Sequence, residues 1–216
     1  MTSPPEPRTG RPRGRGVAAF DFDGTLSSRD NFAPFLRRVA GSRAVARAVA
    51  VNTARVARAS SSDRSRDALK ALVLRDLFTG FDAATLDELG RGFAFEIVQR
   101  HLRSDMVQRA DWHRTQGHDL VIVSASLGTY LRPIAEQLRF DAVLCTELAV
   151  GPDGILTGEM AGPNVRGHEK ARRLDRYLGS EPAAVWAYGD SSGDRELWAR
   201  ADHPVRVSRR GSTPVR

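Results

Sequence analysis

Apolar and polar positions along the chain mark out its elements. Val17 to Phe20 is a short unbroken apolar run and reads as a buried strand. From residue 30 to 100 the apolar positions recur at helical spacing, and no convincing strand interrupts them. Asp30 can cap a helix carrying Phe32, Phe35 and Leu36. Ser42 can cap the next, with Val45, Val49 and Val56 on one face and Arg43, Arg47, Arg55 and Arg58 mostly elsewhere. "DALKALVLRDLF" and "DAATLDELGRGFAFEIV" continue the helical period.

Past residue 100 the period alternates. A helix over about 104–116 ends at Gly117, and "DLVIVS" follows as a buried strand. "GTYLRPIAEQL" is a helix that suits Pro133 only in its first turn. "DAVLCT" is a strand, and "ELAVGPDGILTG" is a hairpin around Gly-Pro-Asp-Gly. "RGHEKARRLDRYLG" is a helix with Gly179 past its end. A strand "AAVWAYGD", a helix "SGDRELWARA" and a last strand "HPVRVS" complete the pattern.

Strands alternating with helices predict an α/β, Rossmann-like fold: a three-layer parallel sheet core. The helical block after the first strand is too long for a simple crossover, so it reads as an inserted helical cap. The expected division is a disordered basic tail over 1–16, a core over 17–29 and 101–208, a cap over 30–100, and a C-terminal tail over 209–216.

Composition changes this picture little. Hydrophobic residues make up 41% of the 216-residue chain, as in ordinary globular proteins. The net charge is +7, and the only lysines among the basic residues are Lys70 and Lys170. The arginines are spread rather than clustered, so nucleic acid is not the expected partner. Cys145 is the only cysteine, which excludes an intrachain disulfide. No stretch supplies the roughly 20 apolar residues of a membrane span, nor the apolar core of a signal peptide. A cytoplasmic protein is expected.

Sites in parallel α/β sheets gather at the carboxyl ends of strands. Here the first strand ends in Asp21 and Asp23, "LVIV" ends in Ser124, and "VWAYG" ends in Asp190, with Asp194 four residues on. Lys170 lies on the helix before that last strand. Asp21 and Asp23 alone fit a turn after a strand as well as a site, and Asp190 and Asp194 fit a helix cap and a first-turn acid. Together the carboxylates repel, which suits a hard divalent cation such as Mg²⁺. The ammonium and hydroxyl suit phosphate oxygens.

In order, "DFDGT", "VIVS", Lys170 and "GDSSGD" resemble the four motifs of the haloacid dehalogenase superfamily of phosphohydrolases. A helical insert directly after the first motif resembles the branch of phosphoserine phosphatases and phosphatidylglycerophosphate phosphatases. The resemblance implies Asp21 as the nucleophile that forms an aspartyl-phosphate. It implies Asp23 as general acid, then base. Mg²⁺ would be held by Asp21, the Asp23 carbonyl and Asp190, with Asp194 orienting metal-bound water or Lys170. Ser124 and Ala125 would bind phosphate, Lys170 would neutralise it, and Gly24 and Thr25 would shape the loop.

Three positions depart from phosphoserine phosphatases. Asp30 stands where those enzymes commonly carry a substrate-reading Glu, and it fits a helix N-cap equally. "SAS", Ser124 to Ser126, replaces an "SGG"-like stretch, and Ser126 is an alternative phosphate ligand. Gly193 replaces an Asn. The expected substrate is a phosphorylated small molecule or lipid headgroup. The Arg-rich helix over 43–58 suits exposed packing or contact with an anionic membrane. Phosphotransfer to an alcohol, a phospho-accepting regulatory module and a basic nucleic-acid-binding protein are the alternatives.

Overall fold

A computed structural model describes residues 14–59, 64–208 and 211–215. Residues 1–13, most of the expected N-terminal tail, lie outside them.

The central strand β1 (Arg15–Phe20) pairs in parallel with β2 (Asp119–Leu127) on one side and β6 (Ala183–Gly189) on the other. The sheet also contains β3 (Ala142–Thr146), β7 (His203–Ser208) and β8 (Gly211–Pro214), in the order β3-β2-β1-β6-β7-β8. A two-stranded hairpin of β4 (Leu148–Val150) and β5 (Leu156–Met160) stands apart from it.

The unbroken apolar runs follow from burial on both faces. Ala18, Phe20, Leu120 and Ile122 point into one apolar cluster, and Val17, Ala19, Val121 and Val123 into another. The first is filled by α5 (Ser104–Thr115) and α6 (Gly128–Gln137) through Met106, Ala110, Tyr130, Leu131 and Ile134. The second is filled by α7 (His168–Leu178) and α8 (Arg195–Arg200) through Leu174, Leu178 and Leu197. Two helical layers around a parallel sheet make the Rossmann-like three-layer core.

Between β1 and α5 run α1 (Phe32–Ala40), α2 (Ser42–Ala59), α3 (Arg64–Phe78) and α4 (Ala83–Arg100). Phe35, Leu74, Phe78, Phe93 and Ile97 join the cluster that holds Phe20 and Tyr130, so apolar packing continues from sheet to insert. At Gly90 of α4 an added Cβ would stand 2.5 Å from the Thr129 carbonyl of α6, so only glycine permits this helix contact. The hairpin is tied to the insert as well: Leu156 donates to the Phe81 carbonyl and Gly80 to the Leu156 carbonyl.

Some local expectations differ. The strand starts at Arg15, whose guanidinium bonds Asp119 at the start of the neighbouring β2. Residues 211–214, read as tail, form β8 antiparallel to β7, which satisfies that strand's outer backbone groups. Pro133 lies in the second turn of α6, and helix packing tolerates the missing donor there. The buried face of α2 is Val45, Ala48 and Asn52; Val49 is 40% exposed. Asn52 takes the inner place because its amide donates to Asp76 of α3 at 2.7 Å. Among the described residues no helix is long and apolar enough to cross a membrane.

Candidate active site

The site is assembled where β1, β2 and β6 end. The Asp21 amide donates to the Tyr188 carbonyl at 2.8 Å, so the chain stays extended one residue past β1. Successive residues therefore alternate: Phe22 is buried in the core, while Asp21 and Asp23 line a cleft of about 490 Å³. The chain then turns at Gly24, whose φ of 78° favours glycine. A Cβ there would also meet Asp190 Oδ2 at 2.2 Å. Thr25 is fully buried in this loop, and its hydroxyl has no partner.

At the end of β2 the pairing with β3 shifts register between Ser124 and Leu127. Ala125 and Ser126 leave the ladder there and line the cleft beside Ser124. At the end of β6, a 3₁₀ turn over Ser192–Asp194 begins with a reciprocal cap. Asp194 Oδ2 accepts from the Ser191 and Asp190 amides at 3.1 and 3.2 Å. Asp194 is therefore the expected first-turn acid, the cap is Ser191 rather than Asp190, and the other oxygen of Asp194 does something further.

That oxygen meets Lys170. From the first turn of α7, Lys170 Nζ donates to Asp21 Oδ1 and to Asp194 Oδ1, each at 2.6 Å. All three side chains are buried. Burial alone disfavours the Lys170 charge, but Asp21 and Asp194 override it and hold the ammonium above its ordinary value. Burial raises Asp21 and Asp190 above the usual carboxylate range, and the Asp194 charge adds to both shifts; Lys170 opposes them.

Asp21, Asp190 and Asp194 each offer a carboxylate oxygen, all within 4.8 Å of one another. Three hard oxygen donors with one ammonium to offset them fit a divalent cation such as Mg²⁺. The Asp23 carboxylate is turned elsewhere. Its Oδ1 accepts from the amide N–H and the side-chain Nδ2 of Asn31, both at 2.8 Å. Its Oδ2 accepts from the Ser126 hydroxyl. Burial raises Asp23 to about 6, and the Ser126 and Asn31 donors hold it from going higher.

Asp30 is exposed, and Oδ1 accepts from the Phe32 and Ala33 amides at 3.0 and 3.4 Å. It thus bonds the first amides of α1, as the capping reading expects, and it also lines the cleft.

Sequence reasoning passed over the other wall. Lys70 of α3 reaches into the same cleft, donating to the Ala125 carbonyl and, at 2.6 Å, to Asn164 Oδ1. Asn164 Nδ2 in turn donates to Asp67 at 2.7 Å. Burial lowers Lys70 to about 8, with Asp67 and Asp23 opposing. Arg66 lines the cleft beside it. The signal was rarity: the chain's two lysines, 100 residues apart, both face this cleft.

The sequence profile of haloacid dehalogenase-like hydrolases matches residues 18–198, which contain every one of these strand ends. The chain belongs to this family. Its relatives include Protein CicA of Caulobacter vibrioides, 37% identical over 86% of this chain and 83% of its own. A probable phosphatase of Mycobacterium tuberculosis is 25% identical over 96% of this chain and 74% of its own. The fold is shared with a phosphoserine phosphatase in its apo form, at a TM-score of 0.62 and 16% identity, covering 88% of this chain and 84% of that one.

Proposed function

We propose that this haloacid dehalogenase-like hydrolase is a Mg²⁺-dependent phosphatase that cleaves phosphate monoesters through an aspartyl-phosphate. The observation that carries the reading is Lys170 joining Asp21 and Asp194, with Ser124 and Asp190 in the same cleft.

The Asp21 carboxylate is the nucleophile, at the buried end of the central strand. Lys170 beside it attracts the phosphoryl oxygens and opposes the burial that favours the protonated form of Asp21. Ser124 offers a hydroxyl to the phosphate. Asp23 gives a proton to the departing oxygen and later takes one from the water that releases phosphate. Asp21, Asp190 and the Asp23 carbonyl would hold the metal, with Asp194 beside them orienting Lys170. Bound there, Mg²⁺ would supply Lewis-acid offset of the anionic charge that gathers around phosphorus.

A cleft of about 490 Å³ suits a small molecule or a headgroup rather than a folded macromolecule. Arg66 and Lys70 on the insert side favour a leaving group that is itself anionic, either phosphoserine-like or phosphatidylglycerophosphate-like.

The test is phosphate release from 4-nitrophenyl phosphate with Mg²⁺, with and without EDTA. Activity that needs Mg²⁺ and vanishes in Asp21→Asn supports the reading. Inactivity of wild type on a broad phosphomonoester panel, or full activity of Asp21→Asn, refutes it.

A further inference from the structure

Three donors converge on Asp23, and none belongs to the motif that contains it. Asn31 opens α1, eight residues on, and Ser126 lies on the β2 bulge, 103 residues on. The Asn31 amide nitrogen faces three oxygens: Asp23 Oδ1, Ser27 Oγ at 2.8 Å and the Arg29 carbonyl at 3.0 Å. That environment settles which end of the amide points at Asp23. Asn31 is fully buried.

The donors differ in what they permit. The two on Oδ1 are N–H groups, which cannot accept a hydrogen bond. A proton on Oδ1 would face their hydrogens. The Ser126 hydroxyl on Oδ2 can donate or accept. It donates into one direction of Oδ2 and leaves the other direction of that oxygen for a proton. One arrangement of side chains thus serves both protonation states only when the proton resides on Oδ2.

We infer that Asn31 and Ser126 are positioning residues that orient the Asp23 carboxyl and make Oδ2 its proton-exchanging oxygen. The inference rests on the reading of Asp23 as general acid and base. An Asp21 oxygen forms a bond to phosphorus while the ester P–O bond breaks. The leaving oxygen takes the proton from Asp23 Oδ2, and Asp23 remains as carboxylate. Water then attacks phosphorus and passes its proton to Oδ2, and the bond to Asp21 breaks.

The experiment compares kcat/KM, which contains only steps up to departure of the leaving group. The probes are phenyl phosphate, whose leaving oxygen needs a proton, and 4-nitrophenyl phosphate, whose leaving group departs readily without one. General acid catalysis is worth about 10²–10⁴-fold, so a misoriented acid should lose about tenfold or more. Ser126→Ala is expected to lose about tenfold more on phenyl phosphate than on the nitro ester, with Ser126→Thr restoring the balance. Asn31→Ala should do the same; because Asn31 also ties Ser27 and Arg29, Ser126→Ala decides the matter if that variant does not fold. Equal losses on the two esters, or none, overturn the inference.

Asp23→Asn separates the two levels. Strong leaving-group dependence in Asp23→Asn with none in Ser126→Ala overturns only the positioning role. Equal losses in Asp23→Asn overturn the general-acid reading and this inference with it.

Discussion

The two walls of the cleft are built differently. The sheet wall carries Asp21, Ser124 and Asp190 at the ends of adjacent parallel strands, with Lys170 on a helix that packs behind them. The insert wall carries Arg66 and Lys70 on one helix, with no strand to set their spacing. A strand end fixes its residues to within a register step, so the chemistry of the sheet wall follows from topology. A helix lying across the opening fixes only which face looks inward. Under the proposed function, bond-breaking falls to the first wall and choice of substrate to the second.

The contrast can be broken most severely at Asp21. Asp21→Asn should lower kcat by more than about 10³-fold with a folded protein, since the proposed nucleophile would be lost. Circular dichroism and phosphate release measure both. Next is Gly24→Ala, which places a side chain at a φ of 78° and against Asp190. A loss of about 10²-fold is expected, with a stability cost of roughly 1–3 kcal/mol from strain. A variant as active as wild type would show that the loop yields and that the close approach is incidental.

The insert wall should respond differently. Lys70→Met is expected to raise KM for an anionic phosphate monoester about tenfold, with less effect on kcat, as a lost charge-assisted bond predicts. Lys70 is charged below about 8. The wild-type KM should therefore climb toward that of the variant as pH rises through 8. A kcat loss with unchanged KM would move Lys70 to the catalytic side of the comparison.

A last effect lies outside both walls and leaves the cleft's chemistry untouched. His113 is fully buried, at 2.8 Å from the Tyr188 hydroxyl and 2.8 Å from His118. Burial lowers it to about 3, with His118 and Arg109 adding to the shift. The unfolded chain takes up this proton near the ordinary histidine value of about 6.5, and the folded chain only near 3. The sign follows: stability is full above about 6.5 and is lost as pH falls toward 3, by at most about 5 kcal/mol. Urea unfolding at pH 7 and pH 4.5 should show His113→Leu losing less over this interval than wild type. An equal loss would place the acid sensitivity elsewhere.

Legibility in the sequence followed the same division. The apolar runs of Val17–Phe20 and Val121–Val123 announced strands buried on both faces, and the acids and hydroxyl stood directly after them. Asp30 was legible as a cap because its two bonds go to residues two and three positions away. Val49 misled because periodicity names several faces of a helix, and only packing against α3 chose Ala48 and Asn52. The strand at 211–214 was missed because short polar edge strands are defined by their partner, here β7.

By itself the sequence determined the α/β alternation, the long helical insertion, and which residue types stand at the strand ends. Strand burial and strand-end placement leave local, periodic traces, and periodicity survives in one dimension. Only the tertiary structure decided that Lys170 joins Asp21 to Asp194, that Lys70 shares their cleft, and that Asn31 and Ser126 grip Asp23. Those bonds link residues as far as 149 positions apart. Their geometry depends on how the β2 bulge, the first turn of α7 and the packing of α3 coincide in space, and no spacing along the chain records that.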